Sequence, residues 1–369
     1  MKKIIRRDFI KTTSTAAFAA TATGLLASCA KTTDKNAPAV ISNKTYDWKM
    51  VTAWPPHFPL LGTYADAMAD WIGKMSNGRM NIHVYGGGEL VPPLETFDAV
   101  SQGVSEMGHG GAYYWSGKVP AAQFFSSVPF GMNTQQFNSW LYEGGGLQLY
   151  EEVYEPFNII PVPAGNTGAQ MGGWFNKQIN SIDDLHGLKM RIAGIGGKVI
   201  KQVGGTPILA PAGELYTDLD RGVIDALEWV GPYHDYLLGF NKIAKYYYYP
   251  GWQEPTAGIE LLVNKDAFNQ LPKDLQIIIK TAGAAASIQM LSDFEAKNAE
   301  YYTKLKDEEK IDFRKFPDDV LAALKKATGE VLSDLVSSDK LSKKVYDSYN
   351  TFEKSITQWD NVVGQNNMG

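Results

Sequence analysis

The 369-residue chain contains a single cysteine, Cys29, and therefore cannot form an intramolecular disulfide. It has only five histidines, and none of them is spaced as in a zinc-binding motif. A G-x-S-x-G nucleophile elbow and a G-x-x-x-x-G-K-S/T phosphate loop are also missing. Stability must therefore come from packing, and the sequence contains no positive sign of catalysis.

The first 28 residues are typical of an export signal rather than of a fold. Arg6-Arg7, followed by Asp8-Phe9-Ile10-Lys11, resembles a twin-arginine signal. The Thr/Ala-rich stretch that follows, 12–28, is too short and too polar to span a membrane. Leu26-Ala27-Ser28-Cys29 resembles a lipobox, in which Cys29 would carry a lipid; the alternative is an ordinary cleaved signal with a free thiol. Either way we expect a periplasmic protein, with residues 29–44 as a tether.

The composition is that of an acidic globular protein, with 44% hydrophobic residues, 20% charged residues and a formal net charge of −5. Removing residues 1–28 would leave 30 basic and 39 acidic residues, and hence a net charge of −9. A protein this acidic is a poor partner for nucleic acid. A site for a small anion would have to be built locally from a few cationic side chains.

Stretches with the apolar spacing of strands and of helices alternate along the chain. We predict helices at 61–75, 94–102, 197–203 and 214–221, and a mostly helical tail from 273 to 360 with a break at Phe316-Pro317. We predict strands at 46–53, 80–85, 104–109, 158–163, 170–176, 188–192, 207–209, 224–230 and 259–264. Such alternation favours parallel strands joined by crossover helices, and therefore an α/β architecture. Two α/β blocks followed by helices indicate two lobes with a ligand cleft between them.

We assign lobe I to 45–165 plus about 258–315, and lobe II to 166–257 plus about 316–340. Residues 341–369 form a separate C-terminal helix. Its apolar residues, from Leu341 to Trp359, recur at three- and four-residue steps, so that one face is apolar. This stripe fits packing on its own lobe and exchange onto a second protomer equally well.

Four polar residues in apolar or glycine-rich surroundings are candidates for ligand contacts. Glu228 lies in the apolar stretch IDALEWVGPYHDY, where a buried carboxylate needs a partner. Arg191 ends a strand-like segment, and its guanidinium could bind a carboxylate through two parallel hydrogen bonds. Gln170 lies among small residues in the segment TGAQMGG, 167–173, and Glu254, like Glu228, is close to a tryptophan. The alternative for the arginine is a surface ion pair with a nearby Asp, and for the two glutamates it is a solvated loop position.

Two longer segments resemble a known family. SIDDLHGLKMR, 181–191, and ELYTDLDRGVIDA, 214–226, resemble the DL-G-K-R and E-Y-L-G-x-x-D segments of the DctP-like extracytoplasmic solute receptors of tripartite ATP-independent periplasmic (TRAP) transporters. The resemblance extends over about residues 45–360. It implies a periplasmic-binding-protein-like fold with two α/β lobes, and a non-enzymatic receptor that delivers a small carboxylate to the small and large membrane permease subunits.

The Glu228-Trp229 pair and the loop 251–255 further resemble the subgroup that binds 2-oxo or 2-hydroxy monocarboxylates, such as pyruvate or lactate, together with a metal ion. The resemblance implies that Arg191 holds the ligand carboxylate and that Gln170 reaches the ligand or the cation. The cation would be held by Glu228, Glu254 and the main-chain carbonyl of Trp229. Trp229 and 113–115 would form apolar walls of the pocket. Whether Gln253 or Glu254 faces the ligand stays open.

Resemblance and charge balance indicate different cations. Two glutamates, one monocarboxylate and Arg191 together carry a charge of about −2, so sodium leaves about −1 and calcium leaves none. The family resemblance favours sodium, which we take as the expected ion, with calcium as the alternative. The same subgroup is known for a long C-terminal helix exchanged between two protomers, so we also expect a homodimer.

Three other functions fit parts of the sequence. A TRAP receptor for C4-dicarboxylates or sugar acids, without a metal, would need a second cationic group beside Arg191. A periplasmic enzyme acting on a carboxylate could use Glu228 as a base, but no catalytic set of residues accompanies it. A structural or sensory protein could use its helices at about 273–360 only for dimerisation.

Overall fold

The computed structural model describes residues 44–363. The twin-arginine segment, Cys29 and the tether up to residue 43 lie outside the described residues, as do residues 364–369. Within 44–363, no helix combines the length and the apolar character needed to cross a membrane.

The described part of the chain alternates strands and helices, with short 3₁₀ turns between them. Its strands are β1 Tyr46–Thr52, β2 Met80–Tyr85, β3 Met107–Gly110, β4 Ile159–Asn166, β5 Gly173–Phe175, β6 Lys189–Arg191, β7 Thr206–Ile208, β8 Ala226–Leu227, β9 Tyr246–Tyr249, β10 Gly258–Asn264 and β11 Asp312–Lys315. Its helices are α1 Leu61–Met75, α2 Thr96–Ser101, α3 Thr134–Glu143, α4 Gly146–Tyr154, α5 Gly194–Gln202, α6 Leu215–Asp220, α7 Pro232–Leu237, α8 Lys265–Asn269, α9 Lys273–Thr303, α10 Asp318–Ser338 and α11 Lys340–Val363.

The first sheet has the strand order β2-β1-β3-β10-β4. β1 pairs in parallel with β2 and β3, whereas β10 runs antiparallel to both of its neighbours. α1 lies beside β2 and buries the apolar face that its spacing predicts, including Met68 and Ile72. The helix ends at Ser76, and Asn77 and Gly78 then take positive φ angles of 55° and 75°. The Asn-Gly pair therefore stops the helix where the sequence predicted.

The second sheet has the strand order β11-β9-β5-β8-β6-β7. β6 pairs in parallel with β7 and β8, and β5 runs antiparallel between β8 and β9. Arg191 is the last residue of β6, and Glu228 directly follows β8. Because these two strands are parallel neighbours, Arg191 and Glu228 leave the sheet at the same edge, which is where α/β proteins place their ligands.

The expectation of parallel strands is correct within β1 to β3 and within β6 to β8, but wrong for β4, β5 and β10, which pair only antiparallel. β10 returns to the first sheet from β9 of the second sheet through a loop and pairs antiparallel with β3 and β4. β9 was not predicted at all, although its four consecutive tyrosines favour a strand. β11 replaces part of the predicted helical tail, because the chain turns at Lys310, where φ is 56°, and then joins β9.

The three long C-terminal helices pack on different parts of the molecule. α9 contacts β4 and α1 on the side of the first sheet and α7 on the side of the second, while α10 packs on α5. α11 returns to the first sheet's half of the molecule and packs on α3, α4 and the 3₁₀ turn Pro120–Phe125. There the hydroxyl of Tyr349 accepts a hydrogen bond of 2.8 Å from the backbone N–H of Met132. In the single chain, α11 thus packs on its own lobe.

Candidate functional site

Arg191 and Glu228 form a buried ion pair at the edge of the second sheet. Nη1 of Arg191 donates to Oε1 of Glu228 at 2.6 Å and to the backbone carbonyl of Glu228 at 2.8 Å. Its Nε donates to the carbonyl of Ala210 at 3.3 Å, and the backbone N–H of Ala193 donates to the same Oε1 at 3.2 Å. Each of the two charged residues is only 1% exposed. This excludes the surface ion pair that the sequence left open for Arg191.

A second loop brings Gln170 and Glu254 together. The backbone N–H of Gln170 donates to the carbonyl of Glu254 at 3.1 Å. The loops approach so closely at Gly251 that a Cβ on this residue would lie 2.1 Å from the carbonyl oxygen of Gln170. Only glycine fits there, so the close approach of the two loops requires a glycine at position 251. Both Gln170 and Glu254 are buried.

Gln253 and Glu254 are both buried, so burial alone does not separate them. Nε2 of Gln253 donates to the carbonyl of Met171 at 2.8 Å. The carboxylate of Glu254, in contrast, interacts electrostatically with Glu228 and Arg191. Of the two residues, only Glu254 carries a charge, and that charge interacts with the Arg191–Glu228 ion pair.

The side-chain atoms that lack a hydrogen-bond partner concentrate in this region. Within residues 44–363, eight buried side-chain N or O atoms have no partner, and five of them belong to the residues above. They are Gln170 Oε1, Arg191 Nη2, Glu228 Oε2, Gln253 Oε1 and Glu254 Oε2. Buried polar atoms are rarely left without a partner, so five of them in one region indicate that a ligand, an ion or water binds there. Four of these five atoms are acceptors and one is a cationic donor, which suits an anion and a cation bound side by side.

The carboxylates of Glu228 and Glu254 repel each other electrostatically. Burial raises the pKa of Glu254 well above its usual range, and the charge of Glu228 raises it further, while Arg191 opposes both. Burial also raises the pKa of Glu228, opposed by the charge of Arg191 and by hydrogen bonds from Ala193 and Arg191. A cation between the carboxylates would favour their charged forms. Within the described residues no three His, Cys, Asp or Glu side chains form a metal cluster, so amide and carbonyl oxygens would have to complete the set.

Aromatic rings enclose the charged cluster. The guanidinium of Arg191 lies 4.9 Å from the centre of the Trp229 ring. Trp54 and Phe58, from the other half of the molecule, meet the same indole edge-on at 6.4 and 6.1 Å between ring centres. Tyr113 is buried close to the charges, and Glu254 raises its pKa in addition to burial.

Not every expected wall residue lies at this cluster. Trp115, the last residue of the segment 113–115, donates instead to Oε1 of Glu260 at 2.8 Å, inside the first half of the molecule. Sequence reasoning also missed Trp54 and Phe58, which reach the cluster from the loop WPPHFP at the end of β1. Three prolines and two aromatic residues within six residues were the available signal.

Residues 50–339 match the family model described as DctP, bacterial extracellular solute-binding protein, family 7. The chain belongs to this family. Its members are solute receptors of TRAP transporters and not enzymes, so the expectations of a receptor and of a non-enzymatic function are confirmed, and the enzyme and the purely structural readings are wrong. TRAP receptors act in the periplasm and pass their solute to membrane permease subunits.

This receptor is similar to three relatives, two of which have solved structures. It is 45% identical over 359 residues to a monocarboxylate 2-oxoacid-binding periplasmic protein of Nostoc sp. (strain PCC 7120), covering 97% of this chain and 96% of the relative. A TRAP solute-binding protein of Colwellia psychrerythraea, solved with calcium and pyruvate, is 42% identical with a TM-score of 0.85. Another from Pseudoalteromonas atlantica T6c, solved with sodium and pyruvate, is 40% identical with a TM-score of 0.85. Each alignment covers 87% of this chain and 98% of the solved one. The two-lobe α/β fold is thereby confirmed.

Proposed function

We propose that this receptor binds a 2-oxo or 2-hydroxy monocarboxylate of the pyruvate or lactate type, together with one cation, in the cluster around Arg191 and Glu228. The observation that carries the proposal is the set of five buried atoms without partners, four acceptors and one cationic donor, described above. A ligand carboxylate satisfies the donor, and a cation satisfies the acceptors. The relatives that were solved with pyruvate and a cation support the same ligand class.

Arg191 would hold the ligand carboxylate through Nη2. Its Nε and Nη1 already donate to Ala210 and Glu228, whereas Nη2 has no partner. Glu228 therefore orients the guanidinium rather than competing for all of it. The Trp229 ring, which stacks near the guanidinium, and Tyr113 would face the short apolar part of the ligand.

The cation would be held by Glu228 Oε2, Glu254 Oε2 and the main-chain carbonyl of Trp229, with Gln170 Oε1 reaching the cation or the ligand. Three of these atoms are buried acceptors without partners, and an all-oxygen set suits a hard cation such as sodium or calcium. When bound, the cation would supply a positive charge that both carboxylates and a 2-oxoacid can share. Sodium leaves about one negative charge in the site and calcium leaves none. We retain sodium as the expected ion and calcium as the alternative.

The two sheets belong to two lobes that close over the ligand, with the boundaries given from the sequence, except that β11 pairs in the second sheet and so belongs to lobe II. Gln170 and Glu254 lie in the segments that connect β4 to β5 and β9 to β10, and thus where the chain passes between the sheets. Closure would present one surface to the small and large permease subunits. Export by the twin-arginine signal, lipidation of Cys29 and a homodimer complete the proposal.

Calorimetric titration of the refolded, ligand-free receptor with pyruvate tests the site. The buffer contains only potassium and a chelator, and sodium or calcium is then restored separately. We expect tight binding only when one of the two ions is present, and the restoring ion identifies the cation. Glu254→Gln should weaken binding of the cation, and with it the binding of pyruvate that the cation supports. Glu214→Gln, on an exposed glutamate, should not.

Two outcomes would contradict the proposal. Pyruvate binding that is unaffected by the cation would remove the metal roles of Glu228 and Glu254. Binding of succinate or galacturonate, with no binding of pyruvate or lactate, would leave the receptor assignment intact and overturn the ligand class.

A further inference from the structure

His234 makes a hydrogen bond between the two halves of the molecule. Its Nε2 lies 2.7 Å from the carbonyl oxygen of Pro59, in the loop that leads into α1 beside the first sheet. The adjacent residue, Asp235, accepts hydrogen bonds from Trp174 and Tyr247, at 3.0 and 2.6 Å, on two strands of the second sheet. His234 is therefore anchored in the second lobe and reaches into the first.

The partners of the imidazole determine where its proton lies. Trp229 donates its indole N–H to Nδ1 of His234 at 3.3 Å. An indole nitrogen can only donate, so Nδ1 is an acceptor, and the proton of the neutral ring is on Nε2. Nε2 then donates to the Pro59 carbonyl. One imidazole thus connects the indole of the ligand site to the backbone of the opposite lobe.

The contacts around this connection come from the same loop and from α9, whose Phe294 ring meets His234 edge-on at 4.8 Å between ring centres. The Phe58 ring meets His234 edge-on at 5.1 Å and Trp229 at 6.1 Å between ring centres. Both His57 and Leu60 in this loop have positive φ angles, 52° and 54°, which non-glycine residues seldom adopt. His234 is only 1% exposed, so its two hydrogen bonds are shielded from water. The loop is shaped to meet His234 and Trp229.

We propose that His234 is a positioning residue that holds the receptor closed and fixes the Trp229 ring against Arg191. The His234–Pro59 hydrogen bond exists only when the lobes are together, so it stabilises the closed form and slows solute release. The inference rests on the proposed function, since it assigns to His234 a role in retaining the solute of that same site.

Three substitutions separate the two hydrogen bonds of the ring. His234→Gln places an amide N–H where Nε2 was, which keeps the donor to Pro59 and loses the acceptor for Trp229. His234→Asn keeps an acceptor near Nδ1 but does not reach Pro59. His234→Phe keeps a flat ring and loses both bonds. His186→Asn, on an exposed histidine of the second lobe, is the matched control.

The measurement is the release rate of isotope-labelled pyruvate, chased with unlabelled pyruvate in the presence of the supporting cation. One buried hydrogen bond corresponds to roughly a tenfold change in rate. We expect the Asn and Phe variants to release pyruvate about tenfold faster than wild type, with little change in the association rate, and the Gln variant to stay close to wild type. Equal release rates in all variants, or rescue by Asn but not by Gln, would overturn the role of the Pro59 contact.

A second readout does not depend on the identity of the solute. Small-angle scattering of the protein as purified should show a larger radius of gyration for His234→Phe than for wild type and the His186→Asn control. Equal radii would overturn the inference. If wild type fails to bind pyruvate while His234→Phe still expands, the proposed ligand is wrong and the role of His234 stands.

Discussion

Nη1 of Arg191 lies 2.6 Å from Oε1 of Glu228 and 2.8 Å from the backbone carbonyl of the same residue, with both side chains buried. One residue thus binds the guanidinium through its side chain and its main chain. The remaining atoms of the pair, Arg191 Nη2 and Glu228 Oε2, have no protein partner. The ion pair is therefore arranged so that a donor and an acceptor remain for a ligand.

Replacing Arg191 by lysine should abolish tight solute binding. A lysine ammonium cannot make both contacts to Glu228 and also donate to a ligand from a planar group. We expect a loss of about 2–5 kcal/mol in pyruvate binding free energy, as for one partner of a buried, hydrogen-bonded charge pair. Calorimetry measures this, and Arg314→Lys, on a half-buried arginine of β11, should leave the affinity unchanged. An unchanged affinity in Arg191→Lys would remove the arginine from the site.

Gly251→Ala should separate the two loops that carry Gln170 and Glu254. The new Cβ would collide with a backbone carbonyl, which cannot rotate away, so the loops must shift. We expect about 1–3 kcal/mol of lost stability and weaker pyruvate binding. Urea unfolding and calorimetry measure the two effects. Gly329→Ala, in α10 with open space around it, should keep both or gain up to about 1 kcal/mol of stability. If Gly251→Ala behaves like this control, the close approach of the loops is unimportant.

Glu260 should make stability depend on pH near neutrality. Burial raises its pKa to about 7, opposed by hydrogen bonds from Tyr150, Tyr154 and Trp115. Since the folded pKa exceeds the unfolded one, the protonated carboxyl stabilises the fold below about pH 4.5, and this contribution is lost as the pH rises to about 7.

Glu260→Gln isolates this effect, because all other titrating groups are shared with wild type. The free energy of unfolding of the variant, minus that of wild type, should rise by on the order of 3 kcal/mol between pH 4.5 and pH 8. Urea unfolding across this range measures the difference. A flat profile for Glu260→Gln would show that the buried carboxyl keeps an ordinary pKa.

Tyr349→Phe tests how α11 is attached. Its hydroxyl accepts from the buried backbone N–H of Met132, and loss of this acceptor should cost about 1–3 kcal/mol. Tyr216→Phe, on an exposed tyrosine, should cost nothing measurable. If α11 packs on its own lobe, the unfolding midpoint of both proteins is independent of protein concentration. A midpoint that rises with concentration would instead indicate helix exchange in a dimer.

Local sequence patterns predicted some elements closely and others not at all. α1 was predicted with its bounds, because its apolar residues repeat at helical spacing and Asn77-Gly78 ends it. The direction of β10 was not predictable, because strand pairing depends on neighbours far away in the chain. β9 consists of four tyrosines and so shows no alternation of apolar and polar residues, and β11 lies within the stretch 273–360 that was predicted as mostly helical.

In the candidate site, too, residue types could be predicted from local sequence, whereas the contacts between them could not. Arg191 and Glu228 were each selected for their chemistry, but 37 positions separate them, and their direct pairing follows only from the parallel pairing of β6 and β8. Pro59 and His234 are 175 positions apart, and neither has a local signal for its hydrogen bond. Residue types can indicate what a site binds, whereas contacts between lobes depend on the folded chain.

Trp54 and Trp229 come from different lobes, and their rings meet at 78° with 6.4 Å between centres. At such a distance two indole chromophores couple electronically, and the coupling falls steeply as they separate. The receptor therefore carries an optical signal of its own for lobe movement, readable as an exciton contribution to its ultraviolet circular dichroism. Solute capture by the unlabelled protein could be followed in real time by this signal alone.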